Sequence, residues 1–392
     1  MLTTDVYIAS AKRTPIGSLM GQFNTITAPQ LGSTALRAVI NDSGVDPALI
    51  DEVIMGCVLT AGVGQAPARQ AMMAAGIPLS TGATTVNKVC GSGMKALMLA
   101  HDVITAGSAS IIAAGGMESM SNAPHLLHAR GGIRFGDSQI LDHLTRDGID
   151  NADGRSLGLF SEDCASRYGF TRQAQDAYAI ESVRRAQQAQ KLGLYSGEIT
   201  PVSVSHAGNS TEIDTDELPR RADISRIPTL APAFKPDGTI TPATASGFSD
   251  GAAALMLLSR QGLDTTGATP IARIVAHATF SHEPEWFTTA PIGAIQRVLQ
   301  KAGWRLSDVD LFEVNEALAV VPMAALHDLD IPHSRLNVNG GACSLGHPIG
   351  ASGARIVVTL INALRTQGLT RGVASLCIGG GEATALAIEC VN

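Results

Sequence analysis

Apolar residues in this chain gather into short continuous runs, and each run ends at glycine or at a polar turn. Residues 6–10, 53–58 and 111–114 read as strands, the last apolar throughout and stopping at Gly115-Gly116. Runs of this kind mark strands covered on both faces. Between them the pattern predicts a helix over 29–43. A strand over 84–87 then leads through Cys90 into a helix over 94–104, with Leu97, His101 and Ile104 on one face.

The middle of the chain changes character. Residues 142–155 are polar, 171–192 form one long polar helix, and 214–238 are rich in Pro, Asp and Arg. From about 117 to 246 this reads as an insertion over one face, and long ordered loops of that kind usually carry function. The last third repeats the first: strands over 271–276 and 310–314, a stretch 336–339 leading into a glycine-rich turn, a helix over 350–364, and a strand over 374–378 ending in glycines. Val86-Asn87 matches Val338-Asn339, and Gly115-Gly116-Met117-Glu118 loosely matches Gly380-Gly381-Glu382. The shared order of strand, reactive turn, helix, strand and Gly-Gly indicates duplicated halves. Facing one another, such halves would bring both turns to a common site.

Composition narrows the class. At 392 residues, two or three domains are expected. Hydrophobic content of 45%, aromatics at 4% and 41 glycines suit closely packed α/β layers. A formal charge of −7 argues against a nucleic-acid or anionic-membrane partner. No run of about 18 apolar residues occurs, and the first residues resemble neither an export signal nor an organelle address, so the cytoplasm is expected. Six cysteines (57, 90, 164, 343, 377 and 390) include no CxxC and read as free thiols. The histidines form neither HxxxH nor HExxH, so no metal is expected.

Three turns hold the candidate chemistry. Cys90 stands before Gly91 and Gly93 at a helix start, where unpaired N–H groups and the helix dipole favour a thiolate. Such a thiolate is nucleophilic and reachable by an acyl group, and its own N–H can hold the oxyanion formed on attack. His347 lies in Gly346-His347-Pro348-Ile349-Gly350. A lone histidine there is often structural, but a neutral imidazole near Cys90 would take its proton, or hold a thioester oxygen. Cys377 ends a buried strand, where packing is the plain explanation, yet the glycines 379–381 offer N–H donors. A second thiol could shuttle a proton at a carbon next to a carbonyl. Asn315, in Asn315-Glu316-Ala317, could cap a helix or hold a water or carbonyl oxygen. Cys343 is unspecific, and Cys57, Cys164 and Cys390 read as structural.

These residues carry a resemblance. With Asn87-Lys88-Val89-Cys90-Gly91-Ser92-Gly93, Gly115-Gly116-Met117-Glu118-Ser119-Met120-Ser121, Asn315-Glu316-Ala317, Gly346-His347-Pro348-Ile349-Gly350 and Cys377-Ile378-Gly379-Gly380-Gly381 in this order, the chain resembles the thiolase family nearly end to end. The resemblance implies an α/β thiolase fold: two duplicated βαβαβαββ halves in a five-layered αβαβα arrangement with an inserted loop domain. Residues 1–120, completed by 247–268, would form the first half, 121–246 a loop domain binding coenzyme A, and 269–392 the second half. Cys90 would be acylated, His347 its base and Cys377 the acid/base at the α-carbon. One oxyanion site would combine His347 with a water held by Asn315, the other the N–H groups of Cys90 and Gly379. Ser246 would touch the pantetheine arm, and Arg220 or Arg221 a phosphate.

The implied reaction is condensation of two acetyl-CoA to acetoacetyl-CoA, or the reverse thiolysis. Coenzyme A and acyl-CoA are substrates, with no prosthetic group, and the assembly is a homodimer or homotetramer. Departures fall around the acyl pocket: Leu318 for phenylalanine, Glu382-Ala383 after the glycines, Ser249 for asparagine, and Ser156-Leu157 where His-Met is frequent. A degradative 3-ketoacyl-CoA thiolase of broader chain length is therefore the alternative, and a Cys–His hydrolase the alternative from another class. A Rossmann dehydrogenase lacks the third glycine in register after Gly91-Ser92-Gly93.

Overall fold

The computed structural model describes residues 5–391 except 134, 207 and 208, and no side chain is described at 206. The runs read as strands become β1 (Val6–Arg13), β2 (Glu52–Gly56), β3 (Gly82–Val86) and β4 (Ile111–Ser119), and the structure adds β5 (Ser249–Ser259), which the sequence reading missed. The second half supplies β6 (Ala272–Ser281), β7 (Leu311–Val314), β8 (Arg371–Ile378) and β9 (Glu382–Cys390). They lie in one ten-stranded sheet in the order β7-β8-β9-β6-β1-β5-β4-β2-β3, with Gly17–Ser18 added beside β5.

Duplication is written in this order. In the first half, β2 runs parallel to β3 and β4, β4 pairs antiparallel with β5, and β5 with β1. In the second, β7 runs parallel to β8, β8 antiparallel to β9, and β9 to β6. The stretch expected to match β3 makes only one bridge, Leu336 to Phe312. Asn337 is the reason: at φ 49° it leaves the extended region, and its amide replaces the ladder. Its Oδ1 accepts from Val314 N at 2.9 Å and its Nδ2 donates to Val314 O at 2.8 Å. The halves join where β1 and β6 pair antiparallel.

Helices cover both faces of this sheet. In chain order the main ones are α1 (Ala28–Ser43), α2 (Ser92–Thr105), α3 (Leu157–Tyr168), α4 (Arg172–Lys191), α5 (Ala290–Ala302) and α6 (Ile349–Gln367). Val6, Ile8, Leu255, Leu257, Leu386 and Ile388 pack on α2 and α6, which form a central layer. Alternate residues Tyr7, Ala9, Met256 and Leu258 face α1, and Ala383, Ala385 and Ala387 face α5. The layers therefore run helix, sheet, helix, sheet, helix. Strands covered twice need no polar face, which explains the continuous apolar runs. Helix α6, covered all round, is buried at nearly every position from Ile349 to Leu364.

Glycine lets the central layer close. A Cβ on Gly93 would meet the Gly350 carbonyl at 3.0 Å, one on Gly56 the Gly93 nitrogen at 2.6 Å, and one on Gly350 the Met117 carbonyl at 2.6 Å. The expectation that Gly115-Gly116 ends a strand is corrected: β4 continues through both to Ser119. Their missing side chains make room for the Ala253 and Gly350 carbonyls.

The insertion fills the β4–β5 connection, which in the second half is only Gly379–Gly381. It is anchored by buried charge. Arg13 of β1 binds Glu198 at 2.6 Å and Asp216 at 2.7 Å. Glu316 accepts from Tyr178 at 2.9 Å and Ser182 at 2.7 Å, both on α4. Each partner satisfies a group that would be costly to bury alone. Among the described residues no helix is long and apolar enough to cross a membrane.

Gly116→Ala drives a methyl into the Gly350 carbonyl and should cost about 2–3 kcal/mol, as overpacking does. Gly131→Ala, with nothing near its Cβ, should be neutral. Denaturant unfolding of both variants against the parent checks the contrast, and equal stabilities would refute the close-packing account.

Candidate active site

Cys90 ends a turn that the preceding residues tie tightly. Asn87 Oδ1 accepts from Val89 N at 3.0 Å, Ser92 Oγ accepts from Lys88 N at 2.8 Å, and Gly91 N donates to Lys88 O at 3.0 Å. Val89 is held at φ 46°, a left-handed conformation that costs a β-branched residue about 1–3 kcal/mol. The turn tips Cys90 toward the second half, where the Gly379 N–H and its own N–H favour the thiolate form. A Cβ on Gly91 would run into the end of the Ile378 side chain, which would have to turn away. Burial outweighs these donors and pushes the thiol up to about 11. The expected thiolate preference is thus corrected: the resting sulfur is protonated, and attack needs a base.

His347 is also buried, and its pKa falls to about 3, first from burial and then from the Arg355 charge. It is a neutral imidazole. Its backbone N donates to Gly247 O at 3.0 Å. Ser352 Oγ donates to Pro348 O at 2.9 Å and lies 2.6 Å from His347 Nδ1. With the serine proton spent on the carbonyl, Nδ1 carries the ring hydrogen and Nε2 the lone pair, a tautomer assigned from the network. Asn315 Nδ2 points at that Nε2 across 3.5 Å. Arg355 orients the amide by donating to Asn315 Oδ1 at 3.3 Å. Glu118 supports the turn from below, accepting from Val58, Leu59 and Gly350 N–H groups at 3.1, 3.2 and 2.9 Å. Burial raises its pKa to about 7 against those bonds.

Cys377 is buried at the end of β8, its thiol pushed up by burial and by the neighbouring Cys90. A thiolate on either sulfur thus disfavours one on the other. Cys90, His347 and Cys377 line one cavity of about 340 Å³ with Ser246, Leu157, Phe234, Phe287, Leu318 and Ile349. Ser246 Oγ donates to Ala317 O at 2.9 Å. Pro242 and Gly247 are shared with a second cavity of about 340 Å³, which holds Arg221, Arg226 and Cys343. The two adjoin, one bordered by the thiols and the other by two guanidinium groups. Arg220 borders neither: it reaches Gln22 at 3.3 Å on the surface. A larger cavity of about 530 Å³, around Arg167 and Trp286, has none of the three reactive groups.

Several residues of the site escaped the sequence reading. Arg355 and Glu118 were visible as lone charges in apolar segments, a signal for a buried partnered group. Ser352 and Arg226 had no such mark. Lys88 and Glu382 form an ion pair across the two turns, which puts the departure at 382 outside the acyl cavity. Leu157 and Leu318 do line it.

Comparison with known proteins gives a consistent neighbourhood. The thiolase N-terminal domain matches residues 6–261 and the thiolase C-terminal domain residues 268–390. An acetyl-CoA acetyltransferase of Chromobacterium violaceum is 46% identical over 98% of this chain and 99% of its own. A mouse protein named acetyl-CoA acetyltransferase, cytosolic, is 45% identical, covering 98% of each. Among solved structures, the Acat5 thiolase from Ascaris suum in complex with coenzyme A superposes with a TM-score of 0.94 at 43% identity, over 99% of this chain and 100% of that one. The Bacillus anthracis acetyl-CoA acetyltransferase gives 0.97 at 36% identity, over 99% of each.

With Cys90 protonated at rest and His347 uncharged, alkylation of Cys90 by iodoacetamide should rise about tenfold per pH unit between about pH 6 and pH 9. Peptide mapping separates it from the other thiols. A plateau reached below about pH 7 would mean a thiolate–imidazolium pair and overturn this assignment.

Proposed function

Because the chain belongs to the thiolase family, we propose that it is an acetyl-CoA acetyltransferase, joining two acetyl-CoA into acetoacetyl-CoA and CoA and running the reverse thiolysis through an acyl-Cys90 intermediate. The observation that carries this reading is one cavity bordered by two thiols and a neutral imidazole. A Cys–His hydrolase has no use for the second thiol.

Thiolysis starts from these three uncharged groups. Cys90 Sγ attacks the C3 carbonyl of the 3-oxoacyl thioester while His347 Nε2 takes the thiol proton. The oxyanion at C3 is held by the N–H groups of Cys90 and Gly379. As the C2–C3 bond breaks, its electron pair passes to the acetyl thioester as an enolate. The enolate oxygen meets the hydrogen now on His347 Nε2, with Asn315 Nδ2 as the neighbouring donor. Cys377 gives its proton to C2, and acetyl-CoA leaves. A free CoA thiol then loses its proton to the Cys377 thiolate and attacks the acyl carbon. The Cys90 sulfur departs and recovers its proton from His347. All three groups end as they began, and condensation is the same path reversed.

The arm of coenzyme A would run along the adjoining cavities, with Ser246 beside the pantetheine and Arg221, together with Arg226, toward phosphate, a reading supported by the residues that line them. The loop domain, 121–246, thus forms one wall of the site and residues 1–120 and 269–392 its floor. No prosthetic group is called for. The cytoplasm as compartment is supported by the naming of the mouse and rat relatives as cytosolic. A homodimer or homotetramer completes the proposal. The breadth of the acyl pocket rests on Leu157 and Leu318, which border the reactive groups.

The test is thiolysis across 3-oxoacyl-CoA substrates of rising chain length. Cleavage confined to acetoacetyl-CoA supports the acetyl-specific enzyme; rates rising with length would instead make it a broad 3-ketoacyl-CoA thiolase. Cys90→Ala should abolish turnover and any radiolabelled acyl adduct, whereas Cys377→Ala should still take up the adduct and fail to condense. An adduct persisting on Cys90→Ala would overturn these roles. Asn315→Ala should lower kcat by about 10²–10³-fold while leaving adduct formation possible, as loss of one oxyanion donor does.

A further inference from the structure

We propose that His101, Asp102 and His277 form a binding site for a divalent transition-metal ion of the Zn²⁺ class, bridging the two halves away from the reactive turns. His101 and Asp102 are neighbours near the end of α2, and His277 lies on β6. His277 Nε2 is 2.8 Å from Asp102 Oδ1, and His101 Nδ1 is 3.3 Å from the same oxygen. The two rings meet edge to face with centroids 4.9 Å apart. One donor atom from each residue lies within 4.8 Å of the others, and no other such trio occurs among the described residues. Donors bound at Zn²⁺ distances sit about 3.4 Å apart, so small side-chain rotations close the set.

A backbone irregularity aims the third ligand. The register of β6 against β9 shifts between Ile274 and Ala276. Before it, Ile274 lies opposite Ile388, which faces the central layer; after it, Ala276 lies opposite the outward Ala387, and His277 opposite Leu386, again central. Plain alternation from Ile274 would send residue 277 to the other face; the bulge turns it toward α2. The first half has the same shift between Ile8 and Ser10, and there the equivalent inward position is Ala11, opposite Leu255. The histidine thus distinguishes one copy of a duplicated device.

Two imidazoles and a carboxylate make a borderline-soft set with one anionic ligand, suited to Zn²⁺, Co²⁺ or Ni²⁺ with water in the remaining position. On binding, the ring hydrogen sits on Nδ1, Nε2 is freed for the ion, and the metal replaces the hydrogen bond to Asp102. Lys301, whose Nζ donates to the His277 carbonyl at 3.0 Å, adds a positive charge near the site and weakens it. The expected affinity is accordingly micromolar rather than that of a closed structural site. The exposed edge of Asp102 gives the ion access.

The experiment titrates the full chain with Co²⁺ and Zn²⁺. The expected result is saturable binding of one ion, visible Co²⁺ d–d bands without thiolate charge transfer, and a higher melting temperature. His277→Ala and Asp102→Asn should each weaken binding at least tenfold while metal-free thiolysis is unchanged. Absence of saturable binding, or binding undiminished in both variants, overturns the proposal. A thiolate charge-transfer band retained in both variants would place the ion on cysteine and overturn it too.

Discussion

The approach of two helix starts, α2 and α6, is the constraint on which the molecule depends. Each follows a reactive turn, one ending in Cys90 and the other in His347, and they sit in the layer between the sheet halves. Their backbones come so near that Gly93 and Gly353 have no room for a methyl group, Gly350 is pressed against Met117 of β4, and Gly56 and Gly116, on the strands, make way for the two helix starts. Ordinary helix packing keeps axes 8–10 Å apart through side chains. Glycine removes that spacer where the reactive groups must meet. The same closeness lets Glu118, on a strand of one half, accept the Gly350 N–H in the first turn of the helix of the other.

Depth then governs the chemistry. Both thiols and the imidazole are buried, so each charged form is penalised, and the three rest neutral. A preformed ion pair would make Cys90 more reactive toward any electrophile. A neutral set becomes charged only while substrate occupies the cavity and supplies the balancing charge. The donors that receive this charge are already in place, because Gly379 is fixed by the β8–β9 turn and Asn315 by Arg355. Their preorganisation is a consequence of the layered core.

Duplication supplied two equal scaffolds, and each half uses its turns differently. One helix start carries a thiol, the other an imidazole. One β4-like strand runs into a large insertion; its counterpart β8 turns back through three glycines. The short turn brings Cys377 and the Gly379 N–H to the site, and the long insertion provides the cavity walls. Even the matched bulges of β1 and β6 diverge, presenting Ala11 in one half and His277 in the other.

Local chemistry made much of this legible in the chain. Short apolar runs ended by glycine or a polar turn marked seven strands of the sheet, since double burial removes the polar alternation, while β5 and β9 went unread. The repeat revealed the halves, and Cys90, His347 and Cys377 stood out because glycine beside a nucleophile has a backbone reason. Asn337 could not be read, because a side-chain amide replaced a strand ladder that sequence pattern assumes. Arg220 and Arg221 were indistinguishable as neighbours, and only the folded loop turned one toward the cavity. Protonation was likewise a tertiary matter: a helix start argues for thiolate, but burial, a property of all surrounding layers, reversed the outcome at Cys90. Asp102 and His277, 175 residues apart, became neighbours only when a bulge rotated one strand. Composition and spacing determined the elements and the reactive types. Packing alone decided their charge, their partners and which atoms face each other, because those depend on distances that no linear order encodes.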